Sequence, residues 1–193
     1  MRLILMGPPG AGKGTQAAAI ASHLGVPAIS TGDIFRTNVA AATKLGQRAK
    51  KYMDSGEYVP DDLTNDMVRS RLGEADARPG FLLDGYPRTL SQVDELDDIL
   101  ASLDTKLDAV ILLEVDREEL IARLLNRAHT EGRDDDTEDV IRRRQEVFAE
   151  QTEPLIHVYD ERGILVRCDG TGEVDSVRAR VLTALPPSAA GSG

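Results

Sequence analysis

The stretch Gly7-Pro8-Pro9-Gly10-Ala11-Gly12-Lys13-Gly14-Thr15 lies directly behind the apolar run Leu3-Ile4-Leu5-Met6 and ahead of the helix-prone Gln16-Ala17-Ala18-Ala19-Ile20-Ala21. A buried strand that empties into a glycine-rich turn and then opens a helix is the local plan of a phosphate-binding loop. The glycines let several backbone N–H groups point at one anion. The helix adds the positive end of its dipole, and Lys13 adds a mobile charge that reaches outer phosphates. A triphosphate is the expected guest, held by Gly10, Ala11, Gly12, Lys13, Gly14 and Thr15. One departure stands out: the strict pattern places Ser or Thr directly after the lysine, whereas Gly14 intervenes before Thr15. The loop as it stands specifies a triphosphate but not direct hydroxyl ligation of magnesium.

Around that loop the composition allows one domain. A chain of 193 residues fills a single core with room for small insertions, and 41% hydrophobic with 29% charged residues is ordinary for a globular protein. The formal net charge of −10 works against nucleic acid, which calls for a basic face, so local Lys/Arg clusters are expected to serve small anions. The single Cys168 excludes an internal disulfide and a four-cysteine metal site, which fits a reducing, cytoplasmic setting. Residues 1–6 read as a first strand, not as a targeting segment, and no apolar run reaches 18 residues, so no membrane association is expected.

Behind the loop, Ala17, Ile20, Ala21 and Leu24 keep helical spacing until Gly25 and Pro27 stop the helix. Ala28-Ile29-Ser30 is a short strand candidate ending in Thr31-Gly32-Asp33, and polar residues at the carboxyl end of a parallel strand stand at the ligand edge. Thr31 and Asp33 are also candidate N-caps for a helix over 34–40, the role expected of Asp33. Arg36, one turn into that helix, is either a second anion contact or an exposed helix arginine. Residues 40–55 predict another helix, closed by Gly56, with Leu45, Ala49 and Met53 on a packing face and Glu57-Tyr58-Val59-Pro60 as an extended exit. Residues 61–72 predict a helix with an acidic first turn, broken at Arg78-Pro79-Gly80.

A second informative stretch is Phe81-Leu82-Leu83-Asp84-Gly85-Tyr86-Pro87-Arg88, with Gln92 four residues on. Asp84 closes a buried strand beside the phosphate loop, where its carboxylate can hold the water shell of magnesium, an ion that keeps several waters and needs no direct protein ligand. Gly85 permits close backbone approach, and Arg88 extends a fork-shaped cation over the same edge. The plain alternative is an Asp-Gly turn ahead of a proline.

Further along, 89–103 predict an acidic amphipathic helix and 107–115 a buried strand. Asp116 then caps a helix whose apolar face is Leu120, Ile121, Leu124 and Leu125. Arg123 and Arg127 share one face of it; like charges one turn apart repel by up to ~0.5 kcal/mol, a sign that an anion between them reverses. Residues 128–136 lack apolar periodicity and read as a loop or small flap containing Arg133. The next helix, from Thr137, carries Arg142, Arg143 and Arg144; the first two are assigned to a solvated face. Pro154 interrupts it, with Thr152 as a candidate cap, and 164–168 form a last strand in which Cys168 is a small buried hydrophobe. None of His23, His129 and His157 has a second ligand at metal spacing, and 186–193 read as a flexible tail.

The motifs Gly-Pro-Pro-Gly-Ala-Gly-Lys-Gly-Thr-Gln at 7–16, Ser-Thr-Gly-Asp at 30–33 and Phe-Leu-Leu-Asp-Gly-Tyr-Pro-Arg at 81–88 with Gln92 resemble those of the adenylate kinases, over residues 1–185. The family's own loop has glycine after the lysine, which accounts for Gly14. The resemblance implies that residues 30–59 form an AMP-binding arm, with Thr31, Arg36, the backbone of Glu57, Tyr58 and Val59, then Gly85, Arg88 and Gln92 as AMP contacts. It also implies that 126–136 form a short lid over ATP. Arg127, Arg133 and Arg144 match arginines around the transferred phosphoryl group, Arg123 one that packs on the adenine side, and Gly170 a position whose backbone meets the adenine. Thr31 resembles adenylate kinases rather than the related uridylate/cytidylate kinases, which tend to have alanine there. The long lid with four metal-binding cysteines found in some relatives is missing, so no structural zinc is expected.

Strands and helices alternate throughout, which predicts an α/β three-layer domain with a central parallel sheet of about five strands. The core comprises 1–29, 60–125 and 137–185, with the arm and lid as mobile insertions. The implied reaction is Mg-ATP + AMP to 2 ADP by a monomer whose partners are ATP, AMP and ADP. The attacking phosphate is already ionised at neutral pH, so Lys13, Arg88, Arg127, Arg133 and Arg144, with Asp84, replace a nucleophile and general base. The competing readings are a kinase for CMP, UMP or GMP and a non-catalytic nucleotide sensor. A P-loop GTPase is excluded, since the chain has no Asn-Lys-x-Asp.

Overall fold

The structure, a computed structural model, describes residues 1–116, 118–121, 123, 124 and 137–187. Five strands, β1 (Arg2–Met6), β2 (Ala28–Ser30), β3 (Phe81–Asp84), β4 (Ala109–Glu114) and β5 (Leu165–Asp169), form one sheet in the order β2-β3-β1-β4-β5. Every pairing is parallel. Parallel neighbours need crossovers, and the helices between them supply these. They are α1 (Lys13–Leu24), α2 (Thr31–Ala40), α3 (Lys44–Asp54), α4 (Asp61–Leu72), α5 (Leu90–Ser102), α6 (Glu138–Val147), α7 (Glu153–Glu161) and α8 (Val174–Ala184). None is long and apolar enough to cross a membrane.

The strands read as nearly unbroken apolar runs because both sheet faces are covered, and their period of two divides the core. Ile4, Met6, Phe81, Leu83, Val110 and Leu112 point to one side, where α4, α5 and α7 contribute Val68, Leu72, Val93, Leu96, Leu155 and Tyr159. Leu3, Leu5, Leu82, Ile111 and Leu113 point to the other, against Ala17, Ile20 and Ala21 of α1 and Val177 and Val181 of α8. The expected three-layer α/β/α architecture is therefore the one observed. Cys168 packs in the second of these clusters, and burial pushes its thiol above the ordinary range, as befits a small hydrophobe.

A third, smaller cluster belongs to the arm and its root: Phe35, Ala49, Val59 and Leu63, with Leu45 and Met53 against them. The helical stripe expected over 40–55 is thus packing, though the helix itself runs Lys44–Asp54, because Ala42 turns the chain at φ 50 and Thr43 recaps it through the Gly46 N–H. The expectation that Asp33 caps the preceding helix is corrected. Ser30 is the N-cap of α2, its hydroxyl accepting from the Asp33 N–H, and the Asp33 carboxylate pairs with Arg36. Near the carboxyl end of the chain a π-helical turn, Phe148–Thr152, carries α6 into α7, which admits Pro154 in its first turn, where no helical N–H is lost.

Candidate active site

Ligands of an open parallel sheet bind outside the carboxyl ends of the strands, and a cavity of about 850 Å³ lies there. The loop after β1 forms one wall. Gly12 caps α1 with φ 86 and no side-chain acceptor, which leaves the positive end of that helix for an anion. Gly10, at φ 89, has no room for a Cβ, which would meet Leu124 Cγ at 2.9 Å. The Lys13 ammonium folds back to donate to the carbonyls of Gly7 at 2.7 Å and Pro8 at 3.0 Å, a cation stored on the loop itself. Gly10, Ala11, Gly12, Lys13, Gly14 and Thr15 all line the cavity.

Asp84 ends β3 beside them, in register with Leu5 of β1 and Ser30 of β2. Burial pushes its carboxyl above the ordinary value, while Lys13 and then Arg88 pull it back. An ideal Cβ at Gly14 would lie 3.9 Å from Asp84 Oδ2, so the residue that replaces the usual Ser or Thr leaves the face of this carboxylate clear. A hard oxygen at this edge is the kind of donor that the water shell of a magnesium ion would meet.

The opposite wall comes from the start and exit of the arm and the segment after β3. Gly85, at φ 79, turns the chain where a Cβ would stand 2.8 Å from both Arg88 Nη2 and Thr31 Oγ1. Thr31 donates to the Gly85 carbonyl at 2.9 Å, and Arg88 donates to it through Nε at 2.8 Å. Gln92, only 1% exposed, accepts from the Arg88 N–H at 2.7 Å and donates to Asp61 at 2.6 Å. Arg36 lines the cavity in its pair with Asp33, and Tyr58 places its ring 4.8 Å from the Arg88 guanidinium. Glu57 and Val59 line it as well.

On the loop's other flank Arg123 pairs with Glu119 and donates to the Gly170 carbonyl at 3.0 Å. Gly170 itself stands behind that arginine; Gly172, Val174 and Val177 are the residues of its segment and of α8 that line the cavity. Arg144 lines the cavity from α6 and reaches the Met53 carbonyl at 3.5 Å. Arg127, Arg133 and the whole of the expected lid at 126–136 lie outside the described residues.

Four contacts had no signal in the sequence. Arg143, assigned to a solvated face together with Arg142, instead pairs with Glu57 of the arm at 2.7 Å; Arg142 does sit on solvent, beside Glu138. Gln145 donates to the Pro9 carbonyl of the phosphate loop at 2.8 Å. Thr152, expected as a helix cap, makes no cap bond and meets Tyr58 and Arg88 instead. Each joins residues far apart in the chain, so no local pattern announces it.

A family model described as Adenylate kinase matches residues 5–164 of the chain. Relatives described as Adenylate kinase include one from Nocardioides sp., 62% identical over 185 residues that span 96% of this chain and 97% of that protein. One from Kocuria rhizophila is 58% identical over 184 residues, 95% and 98% of the two chains, and one from Thermobifida fusca 55% identical over 185 residues, 96% and 98%. Because the family match runs through the loop, the arm and the end of β3 alike, and the similarity to these relatives extends over nearly all of both chains, the chain belongs to the adenylate kinase family.

Proposed function

We propose that this chain transfers the terminal phosphoryl group of Mg-ATP reversibly to AMP, giving two ADP, and that the cavity's two walls hold the two nucleotides. Membership of the family makes it a nucleoside monophosphate kinase, a phosphotransferase. The observation that carries the residue assignment is that Lys13, Asp84, Arg88, Arg36, Arg123 and Arg144 line one cavity, with the phosphate loop on one side and the arm on the other. In this reading Lys13 leaves the loop carbonyls to follow the phosphates of ATP, and Arg123 and the segment from Gly170 border its base. Arg36, Arg88, Thr31, Gln92 and the Glu57-Tyr58-Val59 backbone receive AMP across the gap.

The transferred group passes through a loose transition state whose charge lies on its equatorial oxygens, so arranged cations do the work that a nucleophile does elsewhere. Lys13, Arg88 and Arg144 are such cations, and Arg127 and Arg133 join them by family position. The ion that arrives with ATP supplies charge neutralisation between its phosphates, and Asp84 is the carboxylate that orients the water around it. Water competes with AMP as acceptor at far higher concentration. Closure of the arm, residues 30–59, over the cavity excludes it. On this reading the chain works as a cytoplasmic monomer that keeps adenine nucleotides in balance.

The test is ADP formation from Mg-ATP with AMP, CMP, UMP or GMP, alongside titration of nucleotide binding. AMP is expected as the preferred acceptor by a wide margin in kcat/KM. Faster turnover of CMP or UMP would reassign the acceptor, and tight binding without ADP would reassign the chain to a sensor.

A further inference from the structure

Thr152 is 4% exposed and occupies the N-cap position of α7, where a threonine hydroxyl ordinarily accepts from the first turn of its own helix. It makes no such bond. Its Oγ1 lies instead 2.9 Å from the carbonyl of Arg88 and 2.7 Å from the hydroxyl of Tyr58, partners 64 and 94 residues away in the chain. Proton counting orders this chain. A carbonyl only accepts and a threonine hydroxyl has one proton, so Thr152 donates to Arg88 and the Tyr58 phenol donates to Thr152. Hydrogen bonds that run in one direction polarise one another. The ring of Tyr58 then closes the circuit, because the guanidinium of Arg88 stands over it at 4.8 Å. Tyr58 therefore acts on both ends of one arginine, on its head through the ring and on its backbone through Thr152.

We propose that Thr152 is a positioning residue for Arg88, acting with the Tyr58 side chain to hold that guanidinium where the phosphate of the acceptor nucleotide must meet it. The inference rests on the phosphoryl-transfer reading above. It gives the turn Phe148–Thr152 a role in acceptor binding and ties the exit of the arm to the arginine that receives its ligand. A defect in this chain of hydroxyls falls on the monophosphate and not on ATP, because both hydrogen bonds of Thr152 lead to the acceptor wall.

Thr152→Val keeps the shape of the side chain and removes its hydroxyl; Thr152→Ser keeps the hydroxyl. Tyr58→Phe removes the phenol proton from a partly exposed side chain and keeps the ring. Steady-state turnover with AMP varied against saturating Mg-ATP, and the reverse, reads the effect. Thr152→Val is expected to lower kcat/KM for AMP about fivefold to tenfold, the loss ordinary for a buried hydrogen bond, with KM for ATP within about twofold of wild type. Thr152→Ser should recover most of the loss. Tyr58→Phe should show part of it, and the double variant should be no worse than Thr152→Val alone, since the two hydroxyls act through one carbonyl. Equal losses for both substrates without rescue by serine, additive effects in the double variant, or unchanged AMP kinetics in Thr152→Val and Tyr58→Phe beside an active wild type would each overturn the inference alone. A wild-type chain that makes no ADP from any monophosphate would overturn the phosphoryl-transfer reading, and the inference with it.

Discussion

Arg143 Nε stands 2.7 Å from Glu57 Oε1, an ion pair that fastens α6 to the exit of the arm. The Glu57 carboxylate, with Glu146 second, holds the Arg143 guanidinium above its ordinary pKa. Both side chains are 37% exposed, so water and salt screen the pair and its contribution is modest. Arg143→Gln is therefore expected to raise KM for AMP by no more than about fivefold, with kcat little changed. Kinetics at low and high salt check it: wild-type KM should rise with ionic strength toward that of the variant. A variant as salt-sensitive as wild type would show that the pair does not bear on AMP binding.

Lys13 and Arg88 belong to opposite walls of the cavity, the first held by the Gly7 and Pro8 carbonyls, the second by Gly85 and Gln92. A preorganised cation aimed at a transferring phosphoryl group contributes about 10²- to 10³-fold to kcat. Lys13→Met and Arg88→Ala should each lower kcat by that order while the fold stays intact by circular dichroism, since neither side chain belongs to an apolar cluster. Turnover within tenfold of wild type in either variant would remove that residue from the transferring group's surroundings.

Neutralising Asp84 should separate stability from function. Folding raises its carboxyl above the ordinary 3.8, burial being the main cause, so the native chain binds this proton more tightly than the unfolded one. The stability due to that proton is complete below 3.8 and is lost as pH rises through the raised native value. At pH 7 the buried carboxylate thus weakens the nucleotide-free protein. Asp84→Asn is expected to raise Tm at pH 7 without ligand, by a margin that narrows as the pH is lowered toward 3.8, and to lower magnesium-dependent turnover by about 10². Thermal melts across that range decide the first part; a lower Tm at pH 7 would show that the attraction of Lys13 and Arg88 outweighs burial.

How far these features were legible in the sequence follows from the range of the interactions behind them. The loop, the five strands and the closing aspartate of β3 are local: an apolar run, a glycine turn and a polar strand end lie within a dozen residues of one another. The cap of α2 was local too, yet only Thr31 and Asp33 stand as candidates in the sequence reading, whereas the extended backbone one residue earlier makes Ser30 the cap. The run Arg142-Arg143-Arg144 is a different case. Consecutive helix residues point about 100° apart, so the three arginines diverge to solvent, to Glu57 and to the cavity. The sequence reading puts Arg142 and Arg143 together on solvent and sets Arg144 apart only by resemblance; the phase of α6 separates all three. Thr152 was hidden for the same reason, since its partners lie on other elements of the fold.

Gly85 offers the sharpest test of how the acceptor wall is built. Its φ of 79 lies in the left-handed region, which a residue with a Cβ enters at about 1–2 kcal/mol, and the added atom would press on Thr31 Oγ1 and Arg88 Nη2, each 2.8 Å away. The arginine can swing aside, but the threonine is short and buried, and its bond to the Gly85 carbonyl would have to stretch. Gly85→Ala should therefore destabilise the chain by about 1–3 kcal/mol, read from denaturant unfolding. Because both displaced side chains line the wall proposed to receive AMP, its KM should rise about tenfold or more while KM for ATP stays near wild type, the phosphate loop being on the far wall. Losing both affinities in step would mean that the glycine serves the sheet edge as a whole, and the division of the cavity into a donor wall and an acceptor wall would have to be redrawn.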